Sequence, residues 1–154
     1  MIATEPDQYA YELKLTRVRE VGESRQITSP DEAADYWREV IEHRSWFQSN
    51  REHVVTLLLD TRHNIMGHHL VGIGTMNECI AHPRDILGPV LCGSAYAFIM
   101  MHNHPSGDPS PSKADIRLTL QIREGGELLR VELADHVIVG GAGRYYSFRE
   151  AGLI

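Results

Sequence analysis

Cysteine is almost missing from this chain: Cys79 and Cys92 are the only two among 154 residues. That excludes a disulfide-built scaffold and a cysteine-lined structural zinc site, and leaves two reduced thiols as the expectation. Long apolar runs are missing too. None approaches the roughly 18 residues that cross a bilayer, and the amino terminus lacks the basic, apolar and small-residue succession of a secretory signal. No membrane attachment and a cytoplasmic location are therefore expected. Positive charge is in short supply, with 15 Lys and Arg against 21 Asp and Glu for a net charge of -6. The arginines from Arg17 to Arg84 are scattered among acids, so the sequence offers no basic patch of the kind a DNA-binding surface uses. Gly72-Ile73-Gly74 lacks the third glycine and the following helix of a dinucleotide loop, and reads as a turn.

A hydrophobic share of 42% and a charged share of 23% supply one packed core, and the length suits one domain. The chain is expected to divide into an amino-terminal extension, residues 1–27, and a globular domain, residues 28–154. The extension starts with a loose polar stretch at 1–8 and holds an opening strand over Tyr11–Val18. Ser29-Pro30 then predicts a helix to about Arg44, with Ser29 as cap, Pro30 at the first position, Glu32 as the acid of a capping box, and Ala33, Trp37, Val40 and Ile41 on its apolar face. Strands over Val54–Asp60 and Ile65–Gly72, joined by Thr61-Arg62-His63-Asn64, predict a hairpin. Pro83 opens a second helix to about Gly93, which Gly88-Pro89 is expected to shorten or kink. A buried strand over Ala95–Met101 follows, then a helix from Lys113 to about Glu124 that Gly125-Gly126 is expected to end. A last hairpin pairs Asp135–Gly140 with Arg144–Phe148 across Gly141-Ala142-Gly143. The aromatic alternation in that second arm reads as a packed sheet edge in preference to a base-stacking surface. The class is α/β, a mixed sheet flanked by helices.

The chemistry concentrates in His102-Asn103-His104-Pro105-Ser106-Gly107-Asp108-Pro109-Ser110-Pro111-Ser112-Lys113-Ala114-Asp115. Residues i and i+2 of a strand share a face, so His102 and His104 aim two imidazoles at one point. Prolines 105, 109 and 111 with Gly107 forbid regular structure and bend the chain back. Ser112 stands where an N-cap belongs, which puts Asp115 in the first helical turn. Taken singly, each residue has an ordinary role: a solvated strand-end histidine, a cap, an acid favoured by the helix dipole. Together they supply two nitrogens and a carboxylate, the ligand set of a catalytic zinc, which keeps its fourth position open to activate solvent. The contiguous His-Asn-His is not an HNH nuclease signature, because in that family the residues are dispersed through a ββα unit. His63, His68 and His69 lie in or near the first hairpin, where neighbouring side chains face opposite sides, and make poor partners for one ion. His82, ahead of a helix, reads as a hydrogen-bonded structural residue with a place near the site left open. Asp135 and His136 are candidates to brace a metal-bound imidazole.

The pattern His-x-His, seven residues, Ser, two residues, Asp resembles the JAMM signature of JAB/MPN-type metalloproteases, and His102-Asn-His-Pro-Ser-Gly-Asp-Pro resembles its bacterial RadC-type branch. Gly74-Thr75, His82-Pro83-Arg84-Asp85, Leu133 to Gly140 and Tyr145 to Leu153 resemble RadC-type segments in the same order, so the likeness runs from about residue 28 to the end. It implies the cytidine-deaminase-like fold of JAB domains. It also implies a glutamate just ahead of a hydrophobic strand that ends in Asp, acting as general acid and base. Asn50-Arg51-Glu52-His53-Val54-Val55-Thr56-Leu57-Leu58-Leu59-Asp60 matches that context and nominates Glu52, which the residues alone would not have singled out. By the same likeness Ser112 donates a hydrogen bond to a tetrahedral oxyanion, a role compatible with capping because the cap uses a lone pair and the donor uses the proton. Longer RadC-type chains carry an amino-terminal helix-hairpin-helix segment with no counterpart in this sequence, which implies a short form.

The leading expectation is a zinc-dependent hydrolase of amide bonds, a metallopeptidase or isopeptidase acting on a peptide or protein. His102, His104 and Asp115 bind Zn2+, while Glu52 and Ser112 are catalytic. A second expectation is a JAB-type binding module without turnover, whose motif would be defective, whereas every ligand position is filled in this chain. A third is the DNA-repair association carried by the RadC name. Salt-sensitive DNA binding would mark it, and the charge distribution does not favour it.

Overall fold

The structure is a computed structural model that describes residues 25–76 and 81–154. The strand expected over Tyr11–Val18 and the residue Cys79 lie outside the described residues.

Five strands form one sheet in the order β2-β1-β3-β4-β5. They are β1 (His53–Leu59), β2 (Ile65–Ile73), β3 (Ala97–Asn103), β4 (Glu132–Val139) and β5 (Tyr145–Ser147). Each pairing is antiparallel except β3 with β4, which run parallel and are connected through helix α3 (Lys113–Leu129). This is the mixed α/β sheet the pattern predicts. Helix α1 (Pro30–Tyr36) covers one face, where Ala33 and Trp37 pack with Val55, Leu57, Ile99 and Val137. Helices α2 (Pro83–Cys92) and α3 cover the other, where Ile86, Val90 and Ile122 pack with Val54, Phe98 and Met100. Strand β3 is buried along its whole length because both its faces are covered, which explains its unbroken apolar run.

The helix begun at Ser29 has its capping box as expected, but changes character after Tyr36. Trp37–Ile41 form a π-helical turn, closed by the Glu42 amide on the Trp37 carbonyl at 3.0 Å. The wider turn keeps Trp37 and Ile41 fully buried together, and the helix stops short of Arg44. Helix α2 is neither shortened nor interrupted by Gly88-Pro89 and runs unbroken to Cys92. Pro89 removes only the bond to the Asp85 carbonyl, and Asp85 is exposed, so solvent can take that acceptor.

The expected end of α3 at Gly125-Gly126 is also corrected, since the helix continues to Leu129 and closes at Arg130 in the left-handed region with φ 60. The glycines serve packing. A Cβ on Gly126 would lie 2.6 Å from the Val131 carbonyl oxygen, and one on Gly125 2.8 Å from Leu87 of α2. The chain can therefore double back into β4 tightly against its own helix. Among the described residues no helix is long and apolar enough to cross a membrane.

Candidate metal centre

Strand register builds the site. Val54 of β1 lies opposite His102 of β3, and Met100 lies opposite His136 of β4. Alternation puts Val54, Met100, His102, His136 and Ile138 on the face covered by α2 and α3. His104 follows two residues after His102, just beyond the end of β3, and its amide still bonds the Val139 carbonyl at 3.0 Å. The loop after it is stapled to the β4–β5 turn, with the Gly141 amide and the Arg144 guanidinium both donating to the Gly107 carbonyl. Gly140 has no room for a side chain there: a Cβ would sit 2.7 Å from the Gly107 oxygen. The loop then delivers Ser112, whose hydroxyl accepts from the Asp115 amide at 3.1 Å while the Asp115 carboxylate accepts from the Ser112 amide at 2.7 Å.

Three donor atoms meet as a result. His102 Nε2 and His104 Nε2 are 3.0 Å apart, and the Asp115 carboxylate oxygens lie 3.4 Å from the first and 3.6 Å from the second. Bonds of about 2.0–2.1 Å at tetrahedral angles separate ligand atoms by roughly 3.3 Å, so this spacing suits one small cation. Hydrogen bonds point both rings the right way. His104 Nδ1 donates to the Asp108 carbonyl at 2.8 Å, which leaves the Nε2 lone pair of the neutral ring facing the centre. Two bare nitrogens at that separation repel unless a proton or a metal ion lies between them. Among the described residues His102, His104 and Asp115 are the one group of three or more His, Cys, Asp or Glu side chains that could hold a metal ion.

The electrostatics are those of a ligand set. Burial pushes His102 down to about 4, so it is neutral at physiological pH. Burial also works against charge on His104, but the Asp115 carboxylate and the Asp108 carbonyl prevail and raise it. Burial resists ionisation of Asp115 too, yet the two imidazoles beside it, His104 first and then His102, and the Ser112 cap favour the carboxylate and hold its carboxyl well below the usual range.

Glu52 is 9% exposed and immediately precedes β1. Counting two residues on from the Val54–His102 pair puts it across from His104 on the same face, and its charge is among those that raise His104. Its backbone is pinned on every side. The Glu52 amide donates to the Thr75 carbonyl at 2.9 Å, and its carbonyl accepts from the Gly74 amide at 2.8 Å. The Asn103 side chain grips the two flanking peptides, accepting from the His53 amide and donating to the Arg51 carbonyl, each at 2.9 Å. The middle residue of His-Asn-His thus ties the glutamate segment to the histidine strand. Sequence reasoning missed this role, although an asparagine facing away between two histidines was the available signal.

His136 does brace a histidine: its Nε2 lies 2.8 Å from His102 Nδ1, and its Nδ1 lies 2.6 Å from Thr119 Oγ1. Its neighbour Asp135 does not share that task. It faces away, accepting from Ser147 Oγ at 2.6 Å and the Arg149 amide at 3.0 Å, and so anchors β5. His68 is occupied with the Tyr36 hydroxyl at 2.7 Å, and His82 is the N-cap residue of α2 without a side-chain cap bond. A small cleft of about 190 Å³, lined by Phe47, Asn103, His104, Pro105 and Gly140 among others, adjoins the centre. A larger one of about 550 Å³, between Tyr96, Arg123, Arg130 and Ile154, contains none of the residues just described. Chemistry, and not volume, locates the site.

Residues 27–153 match the family described as the RadC-like JAB domain. The chain belongs to the RadC-like JAB domain family. It is 37% identical over 131 residues to a UPF0758 protein of Geobacter sulfurreducens, covering 85% of this chain and 55% of that one. It is 44% identical over 107 residues to a UPF0758 protein of Methanosarcina mazei, covering 70% and 46%. With a UPF0758 protein of Methanococcoides burtonii it shares 45% over 104 residues, 68% and 45% of the two chains. This RadC-like chain therefore spans about half the length of the curated relatives it matches.

Proposed function

We propose that this protein is a zinc-dependent hydrolase of amide bonds in a peptide or protein, with residues 28–154 as its catalytic unit and residues 1–27 as an extension. We place it in the cytoplasm, where its two thiols stay reduced. The observation that carries the reading is the meeting of His102, His104 and Asp115, and the influence of the Glu52 charge on His104 supports the role given to Glu52. Two nitrogens and one carboxylate leave a tetrahedral ion one open position. When bound, the ion supplies Lewis acidity toward a carbonyl and activation of a solvent molecule.

The chain's own residues would do the rest. Glu52, almost buried and held by four backbone-directed contacts around it, takes a proton from the attacking solvent and returns it to the departing amine nitrogen. Ser112 uses its lone pair as a cap, and its proton remains for an oxygen that gains negative charge during attack. The cleft beside His104 gives an extended chain a place to lie next to the reacting carbonyl.

The test is a two-arm comparison in a protein prepared with one equivalent of zinc and assayed against a library of amide-linked peptides. Glu52→Gln is expected to keep the zinc and lose turnover by at least about 100-fold. Equal turnover in Glu52→Gln and the unaltered protein would refute the assignment. Bound zinc with no turnover in the unaltered protein would favour a binding module.

A further inference from the structure

The buried hydrogen bonds behind His102 have a direction that can be worked out link by link. Thr119 Oγ1 lies 2.6 Å from the Asp115 carbonyl oxygen and 2.6 Å from His136 Nδ1. A carbonyl only accepts, so the single hydroxyl proton of Thr119 goes to Asp115, and toward His136 the oxygen must accept. His136 Nδ1 therefore carries the proton of that ring. An uncharged imidazole has only one, so His136 Nε2 is a bare acceptor, and the group 2.8 Å away, His102 Nδ1, must be its donor. The proton of His102 is thus spent on the side away from the centre, and its Nε2 lone pair points at His104 and Asp115.

We propose that Thr119 and His136 are positioning residues that fix His102 in the Nδ1–H tautomer, so that both histidines present bare Nε2 atoms to a divalent metal ion. The relay begins and ends on one residue. Asp115 anchors it through its backbone carbonyl and supplies the carboxylate of the ligand set, so the first turn of α3 orients a histidine of β3 by way of β4. Thr119 is four residues after Asp115 and lies on the same side of the helix. Stacking of His136 on Phe148, with ring centroids 4.4 Å apart and planes at 13°, holds the middle ring in place.

The inference rests on His102 being a metal ligand, and the experiment separates the two. Thr119→Val keeps the shape of the side chain and removes the hydroxyl; Thr119→Ser keeps the hydroxyl and removes a methyl. The first is expected to weaken zinc binding by about 10- to 100-fold in competition with a chelator, and the second to leave it within a few-fold of the original. A purely packing role for Thr119 predicts the opposite order, and that order would overturn the proposal. The second measurement is long-range proton–nitrogen NMR on the metal-free, histidine-labelled protein. His102 and His136 are both expected in the Nδ1–H form, with His102 switching to Nε2–H in Thr119→Val. Finding His102 with its proton on Nε2 in the unaltered protein would refute the relay even if that variant failed to fold. If the unaltered protein binds no zinc yet shows the expected tautomers, the metal reading fails while the relay stands.

Discussion

Two helices of this protein begin with the same device, and only one of them makes a site. At α1, Ser29 accepts from the Glu32 amide at 3.3 Å, and the Glu32 carboxylate curls back onto the Ser29 and Thr28 amides and the Thr28 hydroxyl. At α3, Ser112 and Asp115 repeat the exchange. Glutamate is long enough to spend its charge on the turn that precedes it, and all three of those bonds fall on one of its oxygens. Aspartate is shorter: Oδ2 is taken by the cap while Oδ1 faces His102. What lies opposite decides the rest. The end of β3 delivers two imidazoles to the start of α3, whereas α1 starts against its own polar turn. A capping box is thus a stabilising motif that becomes half of a candidate metal centre only when the fold brings donors to it.

The largest break in that symmetry is expected from the acids. Asp115→Asn should lower zinc affinity by more than about 100-fold, while Glu32→Gln leaves it unchanged; a chelator titration of both variants measures the contrast. The serines come next. Ser29→Ala and Ser112→Ala should each lower unfolding free energy by about 1 kcal/mol in urea titrations, but only Ser112→Ala should also slow hydrolysis, by about 100-fold. Equal turnover in the two would reduce Ser112 to a cap.

Acid separates the two ends more finely. His102 is already neutral at pH values well above its shifted value of about 4, so zinc need displace one proton, the one His104 retains because its affinity for it is raised. Apparent zinc affinity is expected to fall about tenfold per pH unit from the raised value of His104 down to about pH 4, where protonation of His102 begins to steepen the fall. At α1 the effect is smaller and concerns stability. Hydrogen bonds from Thr28 hold Glu32 below its usual value. A depressed acid stabilises the fold above its unfolded pKa and loses that contribution as pH falls through the folded one. The stability gap between the original and Glu32→Gln should therefore narrow below about pH 4 in urea titrations.

The spacing, the caps and the hairpins are legible in the sequence because each is written in consecutive residues. His102, His104 and Asp115 announce themselves through a strand alternation and a helix start, and the structure brings them together as that pattern implies. The relay was only half legible. His136, on the predicted strand Asp135–Gly140, was a candidate to brace a metal-bound imidazole, but its place behind His102 depends on the parallel register of β3 and β4, which no local pattern encodes. Thr119 looked like any other helix residue. Helix α3 misled for the opposite reason: Gly125-Gly126 has the letters of a helix end, and only the closeness of Val131 and Leu87 reveals glycines chosen for size.

The central claim is that one cation is held by residues from a strand end and a helix start. Elemental analysis of the purified protein after exposure to zinc and removal of excess tests it most directly, in the original chain and in the His102→Ala, His104→Ala double variant. The account predicts one equivalent in the first and none in the second, and a full equivalent in the double variant would contradict it.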